Sequence, residues 1–124
     1  MSKLELFTKQ IGLINGVESY ILVRRSGEII ADNTSNSEDL ASMVTMCGLG
    51  ASDIMQTIGF TQFKHLSFNR MGKRNFLLFF LNRYFLGIQQ IAGTDDQQLA
   101  TEISQLLENL SQQDHNEVEN KWSL

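Results

Sequence analysis

Cys47 is the only cysteine, and His65 and His115 are the only histidines. A thiol beside an imidazole is the constellation of nucleophilic catalysis, in which the base deprotonates the sulfur. The spacing argues against it here. Cys47 falls on the apolar stripe of a helical segment, where cysteine acts as a small hydrophobe. Asp95 and Asp96 form a carboxylate pair suited on paper to acid–base work, but they open a helix whose dipole favours negative charge at that end. The segment "GLGAS", residues 48–52, contains G-x-G without a following lysine, and it lies inside a helix instead of opening one. No H-E-x-x-H and no histidine pair at metal-ligand spacing is present. A single cysteine permits neither an intramolecular disulfide nor a cysteine zinc cluster. The expectation is a protein with no catalytic residues, no metal and no cofactor.

The 124 residues carry a net charge of −4, with 42% hydrophobic and 19% charged residues. That length suits one domain with a real core. An acidic balance argues against nucleic acid as the main partner, because phosphate binding relies on a basic surface. Arg24 and Arg25, and Lys73 and Arg74 with Arg83, read as solvated hairpin ends. The opening "MSKLELFTKQ" has no signal-peptide core. The longest apolar run, Phe76 to Leu81, is far short of the ~20 residues of a membrane helix. These features point to a cytoplasmic protein with no membrane insertion.

The elements that would hold such residues follow from periodicity. Leu4, Phe7, Ile11 and Ile14 make one helical stripe, giving a helix from Lys3 to Asn15 closed by Gly16. "VESYILVRR" and "EIIAD" form a hairpin around Ser26-Gly27, with Val17, Ser19, Ile21 and Val23 on one face and Tyr20 and Leu22 on the other. Ser35 with Glu38 fits a capping box for a second helix running to Ile58 and ended by Gly59. "TQFKHLSFN", "NFLLFFLN" and "YFLGIQQIA" are strands three to five, and Thr94 with Gln97 is a second capping box for helix three. The order is α-β-β-α-β-β-β-α. Strand four does not alternate, so it must be covered on both faces. Strand three reads as an edge, or as a strand made central by a second copy. Residues 1–110 form the domain and 111–124 a polar, acidic tail.

Helix two holds two glycines, Gly48 and Gly50, each costing about 1 kcal/mol relative to alanine in a helix interior. On a helical wheel the core stripe comprises Leu40, Val44, Cys47, Ala51, Ile54 and Ile58. Beside it lies a strip of small residues, Ala41, Thr45, Gly48 and Ser52, that would let a second copy's helix approach closely. Gly50 falls on the opposite flank and is not explained by that pairing. The far side carries Met46 and Leu49 with Asp53, an expected docking patch.

"NGVESYILVRRSGEIIAD", residues 15–32, resembles the opening hairpin of the roadblock / dynein light-chain family. "KRNFLLFFLNRYFLGIQQ", residues 73–90, resembles its closing hairpin, with the Leu86-Gly87 pair. The resemblance runs from Lys3 to Leu110. It implies an α+β sandwich, roadblock- or profilin-like: a five-stranded antiparallel sheet with helix two on one face and helices one and three on the other. It implies a homodimer joined through helix two and strand three, here Ala41, Thr45, Gly48, Ser52, Met55, Phe63 and His65. It also implies a non-enzymatic platform for a Ras-like small GTPase, with Met46, Leu49 and Asp53 as the partner-binding residues. The competing readings are an adaptor of the dynein type and a PAS- or profilin-like ligand sensor.

Overall fold

The computed structural model describes residues 2–59, 65–69 and 75–116, with side chains through Leu110. The apolar run that does not alternate sets the layers. Phe76–Phe80 forms β4, and successive side chains of a strand point to opposite faces. Phe76 and Leu78 enter one core with Ile21, Val23, Leu40, Val44 and Phe85. Leu77 and Phe79 enter the other with Phe7, Tyr20, Leu22, Leu99 and Ile103. A sheet apolar on both faces needs a helical layer on each, and it has them.

The elements follow in the order α1 (Lys3–Ile11), β1 (Val17–Arg24), β2 (Ile29–Asp32), α2 (Ser37–Ile58), β3 (His65–Phe68), β4, β5 (Tyr84–Gln90) and α3 (Asp96–Asn116). The five strands lie in the order β2-β1-β5-β4-β3, with every neighbouring pair antiparallel. The helix α2 packs on one face, and α1 and α3 on the other. Strand β3 is at an edge, as its broken pattern suggested. Leu66 and Phe68 face the α2 side, half-buried, while His65 and Ser67 are exposed. The expected strand began at Thr61; that part, with Phe63, lies outside the described residues.

Several local expectations are corrected. Helix α1 stops at Ile11, four residues before Asn15. Its start is a capping box not anticipated from sequence: Glu5 N donates to Ser2 Oγ at 3.1 Å and Ser2 N to Glu5 Oε1 at 2.9 Å. Those bonds hold the Glu5 carboxyl below its ordinary value. The box expected at Ser35 and Glu38 does not form, because Asn36 is the N-cap and makes no side-chain capping bond. At α3 it is Asp95, not Thr94, whose carboxylate accepts from the amides of Gln97 and Gln98. The Thr94 hydroxyl instead donates to Ile91 O at 2.6 Å. Val17 packs on the α1/α3 side, away from Ile21 and Val23, because the β1–β5 register shifts between Val17 and Ser19. Gly59, at φ +78°, ends α2 as expected.

The largest correction concerns which side of α2 faces the sheet. The buried residues are Leu40, Ala41, Val44, Gly48 and Ala51. At 100° per residue their centre is rotated by roughly 40° from the expected stripe. Ile54 and Ile58, assigned to the core from sequence, are 52% and 54% exposed. The small strip lies on the sheet. A Cβ built on Gly48 would stand 2.6 Å from the Phe85 ring, and one on Gly87 of β5 would stand 2.6 Å from Val44 Cγ2. One glycine on the helix and one on the strand therefore let the two layers close.

Magnitudes decide what an alanine does at Gly48. The gain in helix propensity is about 1 kcal/mol, whereas forcing a methyl into a packed core costs about 1–3 kcal/mol. Overpacking wins, so Gly48→Ala lowers the urea midpoint; an unchanged or raised midpoint refutes the contact with Phe85. Phe79→Asp places an unpaired charge at a buried position and abolishes the cooperative thermal transition. A wild-type-like melting curve for that variant means the α1/α3 face is open to water.

Candidate docking surface on the second helix

Helix α2 lies over β1 and β5 and reaches β4 and β2 less. Its position is fixed sideways by contacts with the β1–β2 turn. Thr45 sits beside Gly27, and Ser52 Oγ accepts from Arg25 Nη1 at 3.4 Å. The flank carrying Cys47, Gly50, Ile54 and Ile58 is therefore turned toward the β4–β3 side. There the sheet face shows Leu66, Phe68 and Phe80, all half-buried. A Cβ added at Gly50 meets nothing within 4 Å. Among the described residues of the chain, nothing requires a glycine at that position.

A second apolar strip runs along the solvent side of the same helix. Met46 is 74% exposed and Leu49 44%, with Asp53 exposed between the following turns. All three, the expected docking residues, are exposed. The residues expected to join two copies are divided. Ala41 and Gly48 are buried against the sheet and offer no surface. Thr45, Ser52 and Met55 are half-buried, and the Thr45 hydroxyl donates to Ala41 O at 2.8 Å. His65 is exposed on β3. Small residues at helical spacing signal a close approach, and the neighbour here is the sheet.

Arg25 is the residue that sequence reasoning missed. Read as a solvated hairpin end, it is instead a three-way clamp. Its Nε donates to Asn82 O at 3.2 Å and its Nη2 to Leu81 O at 3.2 Å, while Nη1 reaches Ser52. The guanidinium also lies 4.7 Å from the Phe85 ring centroid. It thus ties the β1–β2 turn, the β4–β5 turn and α2 together. Arg24 is held by Glu28 at 3.2 Å and lies over Tyr84 at 5.8 Å. No sequence pattern marks the Arg25 clamp or the Arg24–Tyr84 contact, since each depends on elements far apart in the chain.

The candidates for chemistry do not assemble. Cys47 is on the α2 side of the sheet, whereas His65 stacks on Phe79, which belongs to the α1/α3 core. The sheet stands between thiol and imidazole. Burial moreover pushes the Cys47 thiol up, which lowers its thiolate fraction. Asp95 is engaged in capping, and Asp96 accepts from Gln90 Nε2 at 2.7 Å. A cleft of about 180 Å³ beside the start of α3 is lined by Asn15, Gly16, Thr94, Asp95, Gln98, Leu99 and Glu102. Among the described residues no group of three or more His, Cys, Asp or Glu side chains is placed to hold a metal ion. None of their helices is long and apolar enough to cross a membrane.

No family model matches the chain, and no curated protein matches it. Solved structures do. A roadblock/LC7 domain from Streptomyces avermitilis superposes with a TM-score of 0.67 at 11% identity, covering 84% of this chain and 90% of that one. An MglB in a tetrameric arrangement gives 0.70 at 12% identity, over 89% and 85%. The gliding protein MglB from Thermus thermophilus gives 0.65 at 11% identity, over 90% and 89%. Identities this low speak to the fold alone. The hairpins that suggested the family and the sheet with one helix on one face and two on the other now agree: the chain has the roadblock fold.

Proposed function

We propose that the protein is a non-catalytic homodimeric platform that binds a Ras-like small GTPase in the cytoplasm and modulates its nucleotide cycle. The observation that carries the reading is the uncovered flank of α2. One edge of the sheet, β3, has no further strand beside it among the described residues. Among the described residues, no layer covers the apolar flank of α2 and the sheet face next to it. A second copy related by a two-fold axis supplies both at once: a strand beside β3 and a helix beside α2. Gly50 then has a purpose, as the point where two helix backbones approach. Gly50, Ile54 and Ile58, with Met55 and His65, replace Ala41 and Gly48 as the interface.

The dimer leaves Met46, Leu49 and Asp53 facing outward. Interfaces place apolar anchors centrally and charges at the rim, which is the arrangement of these three. Any effect on hydrolysis comes from ordering the GTPase's own switch loops, since a segment held in one conformation completes a site that the free protein samples rarely. The gliding-protein neighbours and the family resemblance of the two hairpins support the GTPase over the dynein-type adaptor. The ligand-sensor reading needs an enclosed apolar pocket with a polar group inside, and no observation favours it.

Light scattering at micromolar concentration should give twice the 14.1 kDa chain mass. In a Cys47→Ser background, Gly50→Cys should cross-link two chains on mild oxidation, and Gly50→Leu should yield a folded monomer. A wild-type monomer, or a dimer indifferent to Gly50→Leu, overturns the interface. Met46→Ser with Leu49→Ser should abolish binding of a purified GTP-loaded Ras-like GTPase encoded in the same genome and leave the dimer intact. Unchanged affinity excludes this surface.

A further inference from the structure

The chain has five methionines and one cysteine. Met43, Met46, Cys47 and Met55 lie among the described residues, and all four are on α2. Their surroundings differ. Met43 is half-buried and packs on the core beneath the helix. Cys47 and Met55 are half-buried as well. Met46 is 74% exposed, and its neighbours one turn away on either side, Ser42 and Leu49, are exposed too. One sulfur of the helix therefore stands in open water, and it belongs to the outer apolar strip. A thioether that an oxidant can reach is converted to the sulfoxide, which turns a flexible apolar side chain into a polar one. The ordinary competitor for an oxidant is a thiolate. Cys47 is a poor one, because burial pushes its thiol up and lowers its thiolate fraction.

We propose that Met46 is an oxidation site, and that its conversion to the sulfoxide by a peroxide switches off docking on the outer strip of α2. The switching part rests on the reading of α2 as the GTPase surface. In the step itself the Met46 sulfur attacks one oxygen of hydrogen peroxide. An S–O bond forms and the O–O bond breaks. The sulfur is oxidised by two electrons, and the second oxygen leaves as water. In the free chain the new oxygen faces solvent and disturbs nothing, because Met46 belongs to neither core. In a complex the same oxygen enters the apolar centre of the interface, where a polar group without a partner is costly. The cost thus falls on the bound state alone. Methionine is a common adaptable anchor at binding surfaces, and here it carries that chemical liability where Leu49 beside it does not.

The test treats the intact chain with graded hydrogen peroxide, removes the peroxide with catalase, and then adds the purified GTP-loaded GTPase of the preceding section. Peptide mass mapping should find one added oxygen on Met46 before any on Met43, Cys47 or Met55. Affinity should fall about tenfold or more in step with the Met46 sulfoxide fraction. The melting curve and the light-scattering mass should not change. A methionine sulfoxide reductase with a dithiol should restore both the thioether and the binding. Met46→Leu is compared with its own untreated sample, so a change in its starting affinity drops out; the same peroxide dose should leave it unaffected. Oxidation of Met43, Cys47 or Met55 ahead of Met46 overturns the site. Full conversion of Met46 with undiminished binding, or an equal loss in Met46→Leu, overturns the switch. If Met46 oxidises first but the untreated chain binds no GTPase, the docking reading falls, and the switch with it, while the oxidation site stands.

Discussion

The structure turns on the Phe85 ring. It lies in the central strand of the sheet, fully buried, under the one position of α2 where no side chain intervenes. Gly48 sits above it, Phe80 meets it edge-on at 5.8 Å, and the Arg25 guanidinium lies 4.7 Å from its centroid. Gly87, two residues along β5, repeats the device against Val44. The helix is seated low on β1 and β5 because two glycines allow it. The proposed dimer follows from that seat: among the described residues, a low, off-centre helix leaves the β3–β4 side of the same face without a covering layer.

That uncovered side separates the two apolar strips of α2 by purpose. Ile54 and Ile58 lie on the flank toward half-buried Leu66, Phe68 and Phe80 and the edge strand β3, which is where the proposed second copy would pack. Met46 and Leu49 stand exposed on the helix's outer side, away from the sheet. Exposed apolar side chains taken singly need no explanation. Two aligned sets on one helix, each with a polar margin, distinguish this helix from α1 and α3. The Arg25 clamp ties the β1–β2 turn, the β4–β5 turn and the inner flank of α2 together.

Much of this was legible in the sequence. The non-alternating run at Phe76–Leu81 announced a two-sided sheet, and the element order and the edge character of strand three followed from pattern alone. The rotation of α2 was not legible, for a physical reason. A hydrophobic stripe records what is buried, but not whether the chain buries it alone. Ile54 and Ile58 widened the apparent core stripe, so the wheel placed Gly48 outside the core, whereas it packs on the Phe85 ring. The Ser2–Glu5 capping box was present in the same Ser-x-x-Glu spacing that was credited, wrongly, at Ser35. Arg25 was beyond reach, because its four partners come from two distant segments, α2 and residues 81–85.

The most direct measurement is a methyl-resolved NMR titration of the labelled chain with the GTP-loaded GTPase. Leu13 and Ile91 are exposed apolar residues at the other end of the sheet, far from α2's outer strip, and serve as internal controls. Shifts of the Met46 and Leu49 methyls, with Leu13 and Ile91 unmoved, are the expected result. Shifts confined to Leu13 and Ile91, or spread evenly over all four, would contradict a docking surface on the second helix.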